Sequence, residues 1–138
     1  EAYHEFVRSL GADPWALREN YLRVQLGQWT EAQFLNETGL GQLKTQPAQA
    51  LLDLVRAQFH RQRMYVSCTF FFEDLDRPEP RYSIANAVRA NLLVTQAIGA
   101  DFSSSLRRDL AQAVSNKSGK HGGQILDDVL AWAREGSA

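Results

Sequence analysis

The sequence predicts an all-α protein, a compact bundle of about six helices forming one domain over residues 1–138. Three observations carry that prediction. Asp13 followed by Pro14 places an N-cap acid ahead of a proline at the first helical position. Thr30 with Gln33 reads as a capping box. From Pro47 onward Ala48, Leu51, Leu52, Val55, Phe59 and Val66 keep helical spacing over about five turns. No segment alternates convincingly enough to be read as a strand, although residues 65–72 have high β-propensity.

Taken in order, residues 1–10 form a short helical segment ended by Gly11. The helix opened by Pro14 carries Trp15, Leu22, Leu26 and Trp29 on one face, which is expected to turn inward. The capping box starts a further short helix in which Phe34 and Leu35 are apolar, with Gly39 as its stop. Residues 40–45 read as a loop, and the stripe from Pro47 as a core helix. Pro80 is expected to open the next long helix, whose stripe is Ile84, Val88, Leu92, Thr95 and Ile98, ended by Gly99. Phe102, Leu106, Leu110 and Val114 mark another, capped by Ser103 or Ser104. Residues 115–123, SNKSGKHGG, have the composition of a mobile surface loop. A final helix carries Ile125, Val129, Trp132 and Ala133.

A chain of 138 residues can bury a core without metal or disulfide staples. The formal net charge of -1 gives no footprint for nucleic acid or for an anionic membrane surface. No apolar run is long enough to cross a bilayer. A single cysteine, Cys68, cannot form an internal disulfide, which favours a reducing, cytoplasmic setting. The chain opens at Glu1 with its only methionine at Met64, so it is expected to be part of a longer protein.

The stretch most informative about function is residues 64–80, MYVSCTFFFEDLDRPEP. A long helical pattern there meets the cysteine, three consecutive phenylalanines, a cluster of acids and two prolines. Connections between helices are usually short and polar, so an apolar and acidic elbow is either a packed corner or one wall of a cleft. Sugar-binding clefts combine flat aromatic faces with carboxylates that accept hydroxyl hydrogen bonds, and Phe70, Phe71, Glu73 and Asp74 supply both chemistries. The plainer reading makes Phe71 and Phe72 core, Cys68 a buried inert thiol, and Glu73, Asp74 and Asp76 favourable negative charge near the first turn of the next helix.

Other chemistries find less support. Glu73 and Asp74 are adjacent and diverge, whereas a glycosidase needs two carboxylates facing each other across the sugar. His60 lies eight residues before Cys68, about two turns away and too far to serve it as a base. His4, His60 and His121 stand in separate segments without ligand spacing, so no metal site and no cofactor is expected, and His121 is expected to be solvated. Arg56, His60, Arg61 and Arg63 form a basic cluster without a nucleic-acid recognition motif; they read as a solvated face or as partners for Glu73, Asp74 and Asp76. Residues 119–123 share only composition with a phosphate-binding loop and follow no strand.

Asp13, Pro14, Trp15, Ala16, Arg18, Tyr21 and Leu22, then Met64, Tyr65, Val66, Ser67, Cys68, Phe71, Phe72, Glu73 and Asp74, then Ala87, Arg89 and Ala90 follow one another in a recognisable order. Together they resemble the helical C-terminal domain of unknown function that follows a glycoside hydrolase family 57-type catalytic domain in large bacterial proteins. The most specific element is Met-Tyr-x-Ser-Cys-x-x-Phe-Phe-x-Asp. The resemblance implies a domain that closes over an α-glucan cleft built on an N-terminal irregular barrel, which carries the catalytic carboxylates. Where family members often show Gly-Trp, this chain has Thr69-Phe70.

The resemblance therefore implies a helical accessory domain whose partner is the N-terminal catalytic domain of the same protein, with α-glucan as the candidate ligand. The candidate substrate-binding residues are Ser67, Cys68, Phe70, Glu73 and Asp74, and no catalytic residue is assigned. The alternative from a different class is a helical protein-interaction or assembly module in which the elbow is only a packed corner.

Overall fold

The computed structural model describes residues 1–71 and 74–135, with side chains throughout except at 133–135. The described residues are all-α, as the periodicity predicts. Eight helices follow one another: α1 (Ala2–Ser9), α2 (Pro14–Gln25), α3 (Glu31–Glu37), α4 (Thr45–Arg63), α5 (Ser67–Phe71), α6 (Pro78–Ile98), α7 (Ser103–Leu110) and α8 (Gly122–Glu135). The count exceeds six partly because the elbow folds a short turn of its own, α5. Phe72 lies outside the described residues, so its expected core role has no structural account.

The local signals act where the sequence places them. The Asp13 carboxylate accepts the Ala16 amide at 2.7 Å, and Thr30 and Gln33 exchange the two bonds of the capping box. Gly39 and Gly99 take left-handed φ values of 75° and 73° at the ends of α3 and α6, a conformation in which a Cβ would be strained. Proline does start α6, but it is Pro78 at the first position; Pro80 is the third residue of the helix and is buried.

The molecule has two apolar centres, and α6 joins them. The first gathers Tyr3 and Val7 of α1, Leu17 and Tyr21 of α2, Phe34 of α3, and Leu51, Leu54 and Val55 of α4. The second gathers Ile84 of α6 with Ile125, Leu126 and Val129 of α8. Packed along α4 on one side and against α8 on the other, α6 needs two inward faces. Small and polar residues, Ser83, Asn86 and Ala87, are therefore buried beside the apolar Ile84 and Leu93. Leu92 and Ile98, expected in one continuous stripe, are consequently exposed.

The expected inner face of α2 is also corrected. Trp15, Leu22 and Leu26 stand out in solvent, Trp29 alone of the expected face packs partly buried against the first centre, and Pro14, Leu17 and Tyr21 are buried. The inward direction is set by polar chemistry as much as by apolar area. The Tyr21 hydroxyl donates to Glu31, whose carboxylate is gripped by the Arg56 guanidinium from α4. Its ring meets Phe34 edge-on at 5.3 Å. A leucine at position 22 has no equivalent to offer on the other side.

Residues 115–123 lie at the surface over 116–119, as their composition suggests, but both ends of the segment are tied into the fold. Ser115 is 1% exposed, and Gly122 and Gly123 are buried in the first turn of α8. An isolated antiparallel bridge joins Val114 to His121, and the Ser115 amide donates to the Lys120 carbonyl at 2.8 Å. Neither Ser103 nor Ser104 caps α7. Asp101 does the equivalent work just before it, accepting from the amide and hydroxyl of Ser103 and from Asn91 of α6.

Candidate functional site at the α4–α6 elbow

The elbow begins where α4 stops. Arg63, in its last turn, lays its guanidinium over Phe59 at 5.1 Å and over Tyr82 of α6 at 5.2 Å. That stack fixes the angle at which the chain leaves α4. Three residues, Met64, Tyr65 and Val66, lead into α5, where Thr69 is the anchor: its hydroxyl donates to the Glu79 carbonyl at 3.3 Å and makes a close hydrogen bond with Ser83 of α6. Position 69 is one of the two that depart from the pattern the elbow resembles, and here its hydroxyl ties α5 down.

With Thr69 turned inward, its neighbours turn out. Ser67 and Cys68 are exposed, Phe70 is 70% exposed and Phe71 is 82% exposed. Cys68 is thus an exposed thiol and not the expected buried one, and Phe71 is not core. A five-residue helix has one side to bury, and Thr69 occupies it. Glu73 lies outside the described residues.

Asp74 faces the opposite way from Phe70. It is 5% exposed, and its carboxylate accepts the Asp76 amide at 2.9 Å, the Ser115 hydroxyl at 2.9 Å and the Lys117 amide at 3.1 Å. Burial works to raise its pKa, but the three hydrogen bonds outweigh it and hold the carboxyl below the ordinary aspartate value. Asp74 therefore organises the 115–119 turn. Asp76 pairs with Arg81, which also reaches Asp128, and Asp128 in turn takes Lys120 at 2.7 Å.

In the basic cluster of α4, Arg61 and Arg63 are exposed, as a solvated face would have them, and among the described residues no partner of the cluster is Asp74 or Asp76. Arg56 holds Glu31 and Asp53, His60 shares a 2.9 Å hydrogen bond with Asn86, and Arg63 is stacked. Arg61 has no partner among the described residues. His121 is exposed, as expected of it. Among the described residues no group of histidines, cysteines and acids is spaced to hold a metal ion, and no helix is long and apolar enough to cross a membrane.

Beside the elbow a depression of about 420 Å³ opens between α6 and α8, lined by Pro78, Arg81, Tyr82, Ala85, Val129 and Trp132. Its lining takes in no residue of α5. The sequence reading missed it because Trp132 falls in register with Ile125 and Val129 and reads as core, whereas its ring is exposed on the rim. The elbow thus brings Ser67, Cys68 and Phe70 together on one outward surface and separates Asp74 from them.

A family model described as a domain of unknown function, DUF3536, matches residues 1–134. No curated protein and no solved structure matches the chain.

Proposed function

The chain belongs to the DUF3536 family, and from that premise we propose that it is a helical accessory domain of a glycoside hydrolase family 57-like, α-glucan-acting protein. In this reading the elbow packs on the catalytic barrel of the same protein, and Ser67, Cys68 and Phe70 border its substrate cleft. The reading rests on the elbow pattern quoted above. The structural observation that carries it is the outward presentation of Tyr65 and Phe70, two large aromatic side chains, five residues apart in sequence, that the fold leaves 63% and 70% exposed. Apolar surface gathered at one place in this way marks an interaction site more often than a bare surface. In this reading the chemistry belongs to the partner domain.

Asp74 favours the packing half of this proposal over the sugar-contacting half. A carboxylate already accepting three hydrogen bonds inside the domain has little left for a saccharide hydroxyl. It equally favours the alternative of a helical interaction module with no carbohydrate role. The two are told apart by producing the catalytic barrel and the 138-residue chain separately. Association that weakens on Tyr65→Ala and Phe70→Ala, together with reduced maltodextrin turnover by the intact protein carrying the same changes, supports the accessory-domain reading. A full-length protein with no such barrel, or turnover indifferent to both substitutions, overturns it.

A further inference from the structure

A second surface, which adjoins the elbow at Met64 and Tyr65 and takes in no residue of α5, carries an inference of its own that does not depend on the carbohydrate reading. Two depressions, of about 270 and about 430 Å³, meet across Gln58 and Arg61 of α4, Val94 of α6 and Phe102. One end reaches Tyr65; the other is bounded by His4 of α1 and by Trp15 and Arg18 of α2. The floor is apolar, with Leu54 buried beneath it. The walls are aromatic, since Trp15 and Phe102 are each about half exposed.

Two guanidinium groups of this groove, those of Arg18 and Arg61, hold no carboxylate in any ion pair among the described residues. Arg61 makes no hydrogen bond or ion pair among the described residues. Arg18 lies 4.1 Å from the centroid of the Trp15 ring and makes no ion pair among the described residues, so its guanidinium edge remains available while the stack holds its position. His4 braces the other side of that stack, meeting Trp15 edge-on at 5.5 Å. Glu1 is the one acidic residue in the lining. Three other arginines, Arg56, Arg81 and Arg107, are by contrast held by carboxylates of the chain. Trp, Tyr and Arg around an apolar floor are also the residue types that dominate binding energy at protein interfaces.

We propose that this groove docks an acidic peptide segment of a partner protein, with apolar or aromatic side chains set on the Trp15–Phe102 floor and carboxylates taken by Arg18 and Arg61. The charge selects the partner: a planar, pre-positioned guanidinium matches a carboxylate fork, and a basic segment would leave both arginines facing like charge.

The test uses the 138-residue chain and two synthetic probes, the peptide Asp-Glu-Phe-Asp-Glu-Leu-Phe-Glu and its counterpart with every acid replaced by lysine, titrated calorimetrically. The acidic peptide is expected to bind and to weaken as salt is raised. Arg18→Glu and Arg61→Glu are each expected to lower its affinity roughly fivefold or more, and Trp15→Ala or Phe102→Ala similarly. All four positions lie at the surface, and an unchanged far-ultraviolet circular dichroism spectrum confirms that each variant is folded. Equal binding of the lysine peptide, indifference to both charge reversals, or no heat of binding with either peptide at millimolar concentration overturns the proposal.

Discussion

The Ser115 hydroxyl donates to the Asp74 carboxylate, 2.9 Å from one oxygen and 3.1 Å from the other, across 41 residues of chain. The bond ties the exit of the elbow to the turn that precedes α8. The same hydroxyl accepts the Ser118 amide at 3.0 Å, and Lys117 offers its own amide to Asp74, so one carboxylate organises the whole turn. The second apolar centre is thereby closed at the end where α6 and α8 begin.

Ser115→Ala removes the donor and leaves a buried acceptor short of a partner. The expected cost is about 1–3 kcal/mol, the range for an orphaned buried polar group. Urea denaturation of the variant checks it. A change below a few tenths would mean that the turn is held by its backbone bridge alone.

Acid should loosen the same end. A carboxyl whose folded pKa lies below its unfolded value binds fewer protons when folded. Its contribution is therefore complete above the ordinary aspartate value of 3.8 and is lost as pH falls through the folded value. Hydrogen bonds from Asn91 and Ser103 bring Asp101 down to about 2, with the same sign. Melting temperature should fall below about pH 4, and Asp74→Asn should flatten that fall while lowering the melting temperature at neutral pH. An unchanged acid slope in the variant would show that Asp74 does not carry it.

Alkali acts with the opposite sign on the first apolar centre. Burial raises Tyr3 to about 12, helped by Asp13, and it raises Tyr21 to about 12 together with the hydrogen bond to Glu31. A phenol that resists ionisation only in the folded state gives stability that is lost as pH climbs from 10 towards 12. Ultraviolet titration should show two tyrosines ionising near pH 12, and Tyr21→Phe should remove one of them.

Much of the fold was legible because its signals are local. Asp13, Thr30 with Gln33, and the glycines at 39 and 99 act within a turn of themselves, and the α4 stripe needs only period. What was not legible depends on partners distant in sequence. Whether Trp15 or Tyr21 faces inward is decided by Glu31 and Arg56, and whether residues 115–123 are loose is decided by Asp74, 41 residues before Ser115. The elbow shows the same division: its position was plain from composition, but Thr69, set aside as a departure from the pattern, turned out to be the anchor that sends Phe70 and Phe71 outward.

Phenylalanine truncations measure that division directly. Phe70→Ala removes an exposed ring and should change stability by no more than about 0.5 kcal/mol. Phe34→Ala, at a fully buried position edge-on to Tyr21, opens a cavity and should cost about 3–5 kcal/mol. Thermal melts of the two variants side by side decide it, and a large loss at Phe70 would return the elbow to a packed corner.

The glycines around α8 allow the sharpest test, because two of them are glycine for different reasons. Gly119 has a φ of 72° with open space where a Cβ would go, so the constraint is backbone conformation alone. Asparagine tolerates that region, and Gly119→Asn should cost less than about 1 kcal/mol. Gly122 does not carry that constraint; instead, a Cβ there would overlap the Leu110 carbonyl at the end of α7, with its carbon only 2.9 Å away. The atom in the way is backbone, so neither side can yield without shifting α8 against α7, where the Gly122 amide also donates to the Ala113 carbonyl at 2.9 Å. Gly122→Ala should therefore cost about 1–3 kcal/mol despite alanine's better helix propensity, which taken alone would make the change stabilising. Chemical denaturation of both variants reads the difference. A stabilised Gly122→Ala protein would show that α7 and α8 approach less closely than the buried glycine requires.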